Sequence, residues 1–135
     1  MDEPEQILAL AERFIQILNR GDADGLREIY STDARIWHNF SEELQSVEEN
    51  VKTMLWVHRV LANLNYDIQR RELLPDGFMQ QHILRGTLAS GEAFAMPACA
   101  ICKVKDGQIV ALEEYLNFAH TAPLHSKVKD QQGGV

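Results

Sequence analysis

The sequence predicts a single α+β domain whose helices pack on one face of an antiparallel sheet. Three observations favour this class. The chain has 135 residues, the length of one typical domain. Helical periodicity is confined to its first half, and strand-like segments joined by short turns fill the second half. Helices and strands that are segregated along a chain are typical of an α+β fold.

The first half begins with two predicted helices. Apolar residues recur every three to four positions over Glu5–Asn19, and Gly21 is suited to end this helix. Asp22 or Asp24 can cap a short second helix over Ala23–Tyr30. A tight turn therefore separates the two helices.

A strand over Ala34–Phe40 precedes the third helix, which opens with a capping box of Ser46 and Glu49 and ends near Ala62. One domain is expected over residues 1–135, with an ordered core over 5–119 and a mobile tail over 120–135. Short turns join the four remaining predicted strands, which are Tyr66–Leu74, Phe78–Ala89, Glu92–Val104 and Gln108–Ala119.

The charge and the apolar pattern exclude several classes of protein. Thirteen basic residues against 20 acidic ones give a net charge of −7, which disfavours binding to nucleic acid. No apolar run reaches the roughly 18–20 residues that span a bilayer, so no membrane role is expected. The acidic segment Met1–Glu5 differs from a basic signal-peptide start, and we expect a cytoplasmic protein.

The third of the four long strands carries apolar residues at both odd and even positions over Phe94–Cys102, so both of its faces should be shielded from solvent. The helices can cover only one face. A homodimer through the outer sheet face is the simpler explanation, and a loop packed flat on that face is the alternative. Cys99 and Cys102 lie three positions apart and so point to opposite faces, which predicts neither a metal site nor a disulfide.

The layout, together with five short motifs, resembles the NTF2-like superfamily and within it the SnoaL-like group, whose relatives include ketosteroid isomerase and limonene-epoxide hydrolase. The likeness covers about residues 5–119. It implies a cone-shaped domain in which the helices and a curved sheet enclose a cavity. The motifs are Asn19–Asp22, Tyr30–Ala34, Trp37–Asn39, Asp106–Ile109 and Glu113–Asn117.

The resemblance also implies that the catalytic sets of both relatives are incomplete. In ketosteroid isomerases a tyrosine and a protonated aspartate form an oxyanion hole, and the matching positions here are Phe14 and Pro97, which lack a side-chain donor. The isomerase base matches His38. The Asp–Arg–Asp set of the hydrolases matches Gln81, Ile83 and Glu114, so one carboxylate remains.

His38 and Glu114 are the candidate catalytic residues. A cavity imidazole is a natural base near neutral pH. Glu114 stands between Leu112 and Leu116, and desolvation there is expected to raise its pKa.

Three alternatives remain open at this point. Glu113 could face inward in place of Glu114, or Arg85 could simply pair with Glu114. Trp37 and Asn39 could line the site in place of His38.

The alignment with the resembled family implies which parity of each strand faces the cavity, and strand parity and helix periodicity then give the remaining lining residues. His82, which has the opposite parity to its neighbours on the strand, is expected on the outer, dimer-side face. The other expected lining residues are Phe14, Leu18, Tyr30, Ile36, Asn39, Met54, Leu55, His58, Gln81, Ile83, Arg85, Leu112, Leu116 and Phe118.

The resemblance therefore implies a cofactor-independent SnoaL-like protein that binds a small, mostly apolar molecule such as a terpenoid, steroid or polyketide fragment. An isomerase, cyclase or hydrolase that uses general acid–base chemistry fits this expectation. A non-catalytic ligand carrier or a dimeric interaction module is the alternative.

Overall fold

The computed structural model describes residues 3–125 and confirms the α+β class. The helices are α1 (Glu3–Arg20), α2 (Ala23–Ile29) and α3 (Val47–Val60). A 3-10 helix over Phe118–Thr121 and a helical turn over residues 122–125 follow the last strand. The strands are β1 (Tyr30–His38), β2 (Ala62–Leu74), β3 (Gly77–Thr87), β4 (Ala93–Lys105) and β5 (Gln108–Leu116).

The five strands form one sheet in the order β1-β5-β4-β3-β2. Strands β2 to β5 form an antiparallel meander, as expected, but β1 pairs with β5 in parallel. The sequence pattern predicts the meander and indicates no partner or direction for β1. The parallel direction is possible because the path from β1 to β5 runs through α3 and three further strands, so no hairpin constrains it.

The caps of the second and third helices are the expected ones. The Asp22 carboxylate accepts a hydrogen bond from the Gly25 backbone N–H at 2.9 Å. The Ser46 hydroxyl accepts from the Glu49 N–H at 3.1 Å, and the Glu49 carboxylate accepts from the Ser46 N–H at 2.9 Å. Both caps satisfy N–H groups that have no partner within their helix.

The end of the chain differs from the prediction. Strand β5 stops at Leu116, because the Asn117 side chain accepts from the Ala119 N–H at 3.0 Å and turns the chain into the 3-10 helix. Leu124 is 2% exposed, so the packed part of the protein extends beyond residue 119. The remainder of the predicted mobile tail, residues 126–135, lies outside the described residues.

The core lies between the helices and the sheet face that they cover, here called the inner face. Along β4 this face carries buried side chains at alternate positions: Phe94, Met96, Ala98, Ala100 and Cys102. The opposite, outer face of β4 carries Ala95, Pro97, Cys99 and Ile101, which are exposed or half-buried in the single chain. Across residues 3–125, no helix is long and apolar enough to cross a membrane.

Candidate active site

The helices, the inner face of the sheet and the last described residues enclose a cavity of about 560 Å³. Its wall is largely apolar, with contributions from Phe14, Ile15, Leu18, Met54, Val57, Leu84, Met96, Leu112, Leu116 and Leu124. Its polar side chains are Tyr30, His38, Gln45, Asn50, Thr53, Tyr66, Gln80, His82, Glu114, Thr121 and His125. A mostly apolar cavity with a few convergent polar groups is what a small-molecule site generally looks like.

One row of cross-strand partners runs over the inner face of all five strands: Arg71, Gln80, Ala100, Glu114 and His38. Gln80 and Glu114 are each the direct partner of Ala100, on its two sides. Ala100 contributes only a methyl group to the cavity wall between the amide and the carboxylate.

Glu114 lies between two histidines. Its Oε1 is 3.0 Å from Nε2 of His38, and its Oε2 is 3.5 Å from Nε2 of His82. The three side chains are 19%, 13% and 4% exposed, so all are largely removed from solvent. A carboxylate flanked by two imidazoles at a cavity wall is a candidate general acid–base centre.

Burial alone would raise the pKa of Glu114, but the hydrogen bond with His38 and the charges of His82 and His38 outweigh it and lower this pKa below its usual range. The predicted rise in the pKa of Glu114 is therefore wrong in sign. Burial lowers the pKa of His82 by more than the Glu114 charge raises it. The Glu114 carboxylate is thus favoured in its ionised form, and burial makes His82 lose its proton more readily than an exposed imidazole does.

The carboxylate fixes the tautomer of neutral His38. An ionised carboxylate only accepts hydrogen bonds, so the Nε2 of His38 that faces it carries the hydrogen. The lone pair of neutral His38 is then on Nδ1. This nitrogen is the group that can take a proton.

A second polar chain lies on the helix side of the cavity. The Tyr30 hydroxyl donates to Asn50 Oδ1 at 3.0 Å, Asn50 Nδ2 donates to Gln45 Oε1 at 3.1 Å, and Gln45 Nε2 donates to Thr53 Oγ1 at 3.2 Å. Burial, followed by the nearby Cys102 and Glu114, raises the pKa of Tyr30, so its hydroxyl keeps its proton. Asn50 was not predicted from the sequence as a cavity residue. Its spacing of four from Met54 places both on the same face of the helix and could have indicated it.

On β3 the predicted facing is wrong. The inner face buries Gln80, His82 and Leu84. Because side chains alternate along a strand, Gln81, Ile83 and Arg85 lie on the outer face. The pairing of Phe78 with Cys102, both fully buried, fixes this parity. Pro97 also faces outward, opposite Ile83.

Two alternatives for Glu114 are resolved by neighbouring contacts. Arg85 binds Asp67 at 2.9 Å and is therefore not the partner of Glu114. Glu113 is exposed and accepts from the Tyr115 hydroxyl at 3.1 Å.

The orientation of β1 is resolved in the same way. His38 lines the cavity, whereas Trp37 packs its ring against Tyr115 on the other face at a centroid distance of 5.4 Å. Asn39 does not line the cavity, because its Oδ1 accepts from the Leu116 N–H at 3.0 Å.

Three further residues expected in the lining lie elsewhere. His58 Nε2 is 2.8 Å from the Leu18 carbonyl, and its ring lies under the positive-φ Gly21, so His58 holds the end of α1. Ile36 is fully buried in the core below the cavity, and Leu55 faces solvent. Of the expected residues, those that do line the cavity are Phe14, Leu18, Tyr30, His38, Met54, Leu112, Glu114, Leu116 and Phe118.

The fold and this cavity define a cone-shaped α+β domain with one polar row on the sheet. The family model for the SnoaL-like domain matches residues 11–112, and the chain belongs to that family. No curated protein sequence is significantly similar to the chain.

Solved structures share the fold at low identity. PrhC from Penicillium brasilianum NBRC 6234 has a TM-score of 0.82 at 13% identity, over 95% of this chain and 91% of its own. AclR from Streptomyces galilaeus, named as a candidate hydroxylase, has a TM-score of 0.77 at 17% identity, over 96% of this chain and 98% of its own. IdmH from Streptomyces antibioticus, named as a candidate polyketide cyclase, has a TM-score of 0.74 at 17% identity, over 95% of this chain and 99% of its own.

Proposed function

We propose that this protein is a cofactor-independent enzyme that removes a proton from a carbon atom of a small, mostly apolar molecule in its cavity. The observation that carries the proposal is the contact of 3.0 Å between His38 and Glu114 at the cavity wall. A carboxylate that accepts a hydrogen bond from one nitrogen of an imidazole leaves the other nitrogen available as a general base. The wall around the pair is apolar, which suits a substrate with few charges.

The reaction that fits this centre begins at a C–H bond beside a carbonyl group. His38 Nδ1 takes the proton, the electron pair of the C–H bond forms a C=C bond, and the carbonyl oxygen becomes an enolate. Return of the same proton to another carbon of the conjugated system completes an isomerisation. Attack of the enolate carbon on a second carbonyl closes a ring, and the proton then passes from His38 to the new alkoxide.

The size and lining of the cavity support ring compounds of polyketide, terpenoid or steroid type. A volume of about 560 Å³ lies within the ~300–1,000 Å³ typical of small-molecule sites. The name of IdmH as a candidate polyketide cyclase agrees with this class of substrate.

The test is the exchange of the α-hydrogens of 2-tetralone, a bicyclic enolisable ketone, followed by proton NMR in D₂O. The wild-type protein should accelerate the exchange. His38→Ala and Glu114→Gln should each reduce the acceleration by about 100-fold or more, the usual contribution of one acid–base group. His120→Ala is the matched control, because His120 is exposed on the 3-10 helix and does not line the cavity.

A ligand carrier is the second candidate, and one observation favours it. Phe14 lines the cavity and Pro97 faces away from it, so neither offers the side-chain donors of the isomerase oxyanion hole. If the wild-type protein binds 2-tetralone and leaves its exchange rate unchanged, the carrier is favoured and the enzyme is contradicted.

A further inference from the structure

Gln80 is fully buried at the cavity wall, and its amide Nε2 has no hydrogen-bond partner among residues 3–125. Folded proteins satisfy nearly all of their buried N–H groups, because an unpaired one loses its hydration without compensation. An unpaired amide at a cavity wall therefore marks a position for an acceptor atom of a ligand.

The direction of the Gln80 amide is fixed by Arg71. The guanidinium has donors only, and its Nε–H donates to Gln80 Oε1 at 2.9 Å. The opposite amide orientation would bring two donors together, so it is excluded. Arg71 is itself held by Glu12, which accepts from its Nη1 at 2.9 Å. The Gln80 NH₂ group is thus turned away from Arg71.

The surroundings of Gln80 suit a carbonyl compound. Gln80 and Glu114 flank Ala100 on the inner face, and all three residues line the cavity. A ligand over Ala100 has the amide on one side and the His38–Glu114 pair, with His82 beside it, on the other.

We propose that Gln80 recognises the carbonyl oxygen of the substrate, which is therefore a ketone or a related carbonyl compound, and that Arg71 and Glu12 are positioning residues for the Gln80 amide. This inference rests on the proposed function, because the carbonyl group takes part in the reaction only if the protein removes the proton beside it. It names the class of substrate. As the C–H bond breaks, negative charge gathers on the carbonyl oxygen, and the hydrogen bond from Gln80 strengthens.

The experiment compares the binding of 2-tetralone and tetralin, which share a bicyclic skeleton and differ in the carbonyl group, by calorimetry on the full chain. The wild-type protein should bind the ketone about tenfold more tightly, the usual effect of one net hydrogen bond. Gln80→Leu should bind both compounds with equal affinity. Gln81→Leu is the matched control on the outer face and should keep the preference.

Two further variants keep the test decisive if the leucine variant does not fold. Gln80→Glu retains an acceptor for Arg71 and has no N–H, so it should also lose the ketone preference. Arg71→Met frees the amide to rotate and should reduce the preference in part, with tetralin binding retained. An unchanged preference in Gln80→Glu would overturn the proposal.

The two proposals fail separately. Loss of the ketone preference in Gln80→Glu, without proton exchange in the wild-type protein, would support carbonyl recognition and contradict the enzyme. Proton exchange together with an unchanged preference would support the enzyme and contradict the role of Gln80.

Discussion

Nε2 of His38 and Oε1 of Glu114 lie 3.0 Å apart, although the two residues belong to the first and last strands of the chain. They are direct partners in the parallel pairing of β1 with β5, and both side chains line the cavity. Paired strands hold such groups more rigidly than loops do. The candidate acid–base centre is therefore built into the sheet itself.

Stability should fall as the pH is lowered below about 6.5, and His82 should account for part of this fall. Burial lowers the pKa of folded His82 below its ordinary 6.5, against the smaller opposing effect of Glu114. The stability that neutral His82 contributes is fully present above the pKa of His82 in the unfolded chain. It is lost as the pH falls through the lower pKa of His82 in the folded chain, because the unfolded chain binds the proton first.

Urea unfolding at pH 7.5, 6.5 and 5.5 measures this effect. His82→Phe should flatten the dependence by up to about 1.4 kcal/mol per pH unit, the limit for one proton. His120→Ala, at an exposed site, should keep the wild-type slope. An identical slope in His82→Phe would refute the assignment.

Ala100→Val should weaken the binding of 2-tetralone by about tenfold. The added methyl groups extend into the cavity from the wall between Gln80 and Glu114, and overpacking of this kind costs about 1–3 kcal/mol. Ala95→Val is the control on the exposed outer face of the same strand and should bind as the wild-type protein does. Calorimetry distinguishes the two variants, and equal affinities would show that the ligand does not lie over Ala100.

Ser46→Ala should lower the free energy of unfolding by about 1 kcal/mol, because the Glu49 N–H loses its acceptor and α3 loses half of its capping box. Urea denaturation measures the change. Ser90→Ala removes exposed hydrogen bonds with Glu92 in the turn before β4 and no helix cap, so it should change the stability by less than about 0.5 kcal/mol. Equal losses in both variants would contradict the role of the cap.

We propose that the outer sheet face forms a homodimer interface, because Pro97, Cys99 and Ile101 are left open on it in the single chain. Light scattering at micromolar concentration should give twice the chain mass of 15.3 kDa. Ile101→Lys places a charge on this face and should shift the mass to that of the monomer. A monomeric wild-type protein would refute the proposal.

The helices and turns of this fold were predictable because their signals are local. Asp22 and the Ser46–Glu49 box satisfy N–H groups within three residues of themselves, and Gly91 and Gly107 adopt the positive φ angles of 90° and 77° expected at turns. The parallel pairing of β1 with β5 was not predictable, because it joins strands that no short connection links.

The candidate site was predictable only in part. His38 and Glu114 stand among apolar residues of their own strands, and both match catalytic positions of the relatives that the sequence resembles, so they were identified. His82 was missed because both parities of β3 mix polar and apolar side chains, so the pattern could not distinguish Gln80 and His82 from Gln81 and Ile83. Pairing with the neighbouring strands decides the parity, and a single sequence does not contain it.

The row from Arg71 to His38 takes one residue from every strand, so it forms only when all five strands are aligned at once. A slip of one residue in any strand would turn that strand's member to the opposite face. A single-residue deletion within a strand should therefore abolish the proposed proton exchange even in a protein that still folds. Insertions at Gly91 or Gly107, which lie in turns, should leave the row intact.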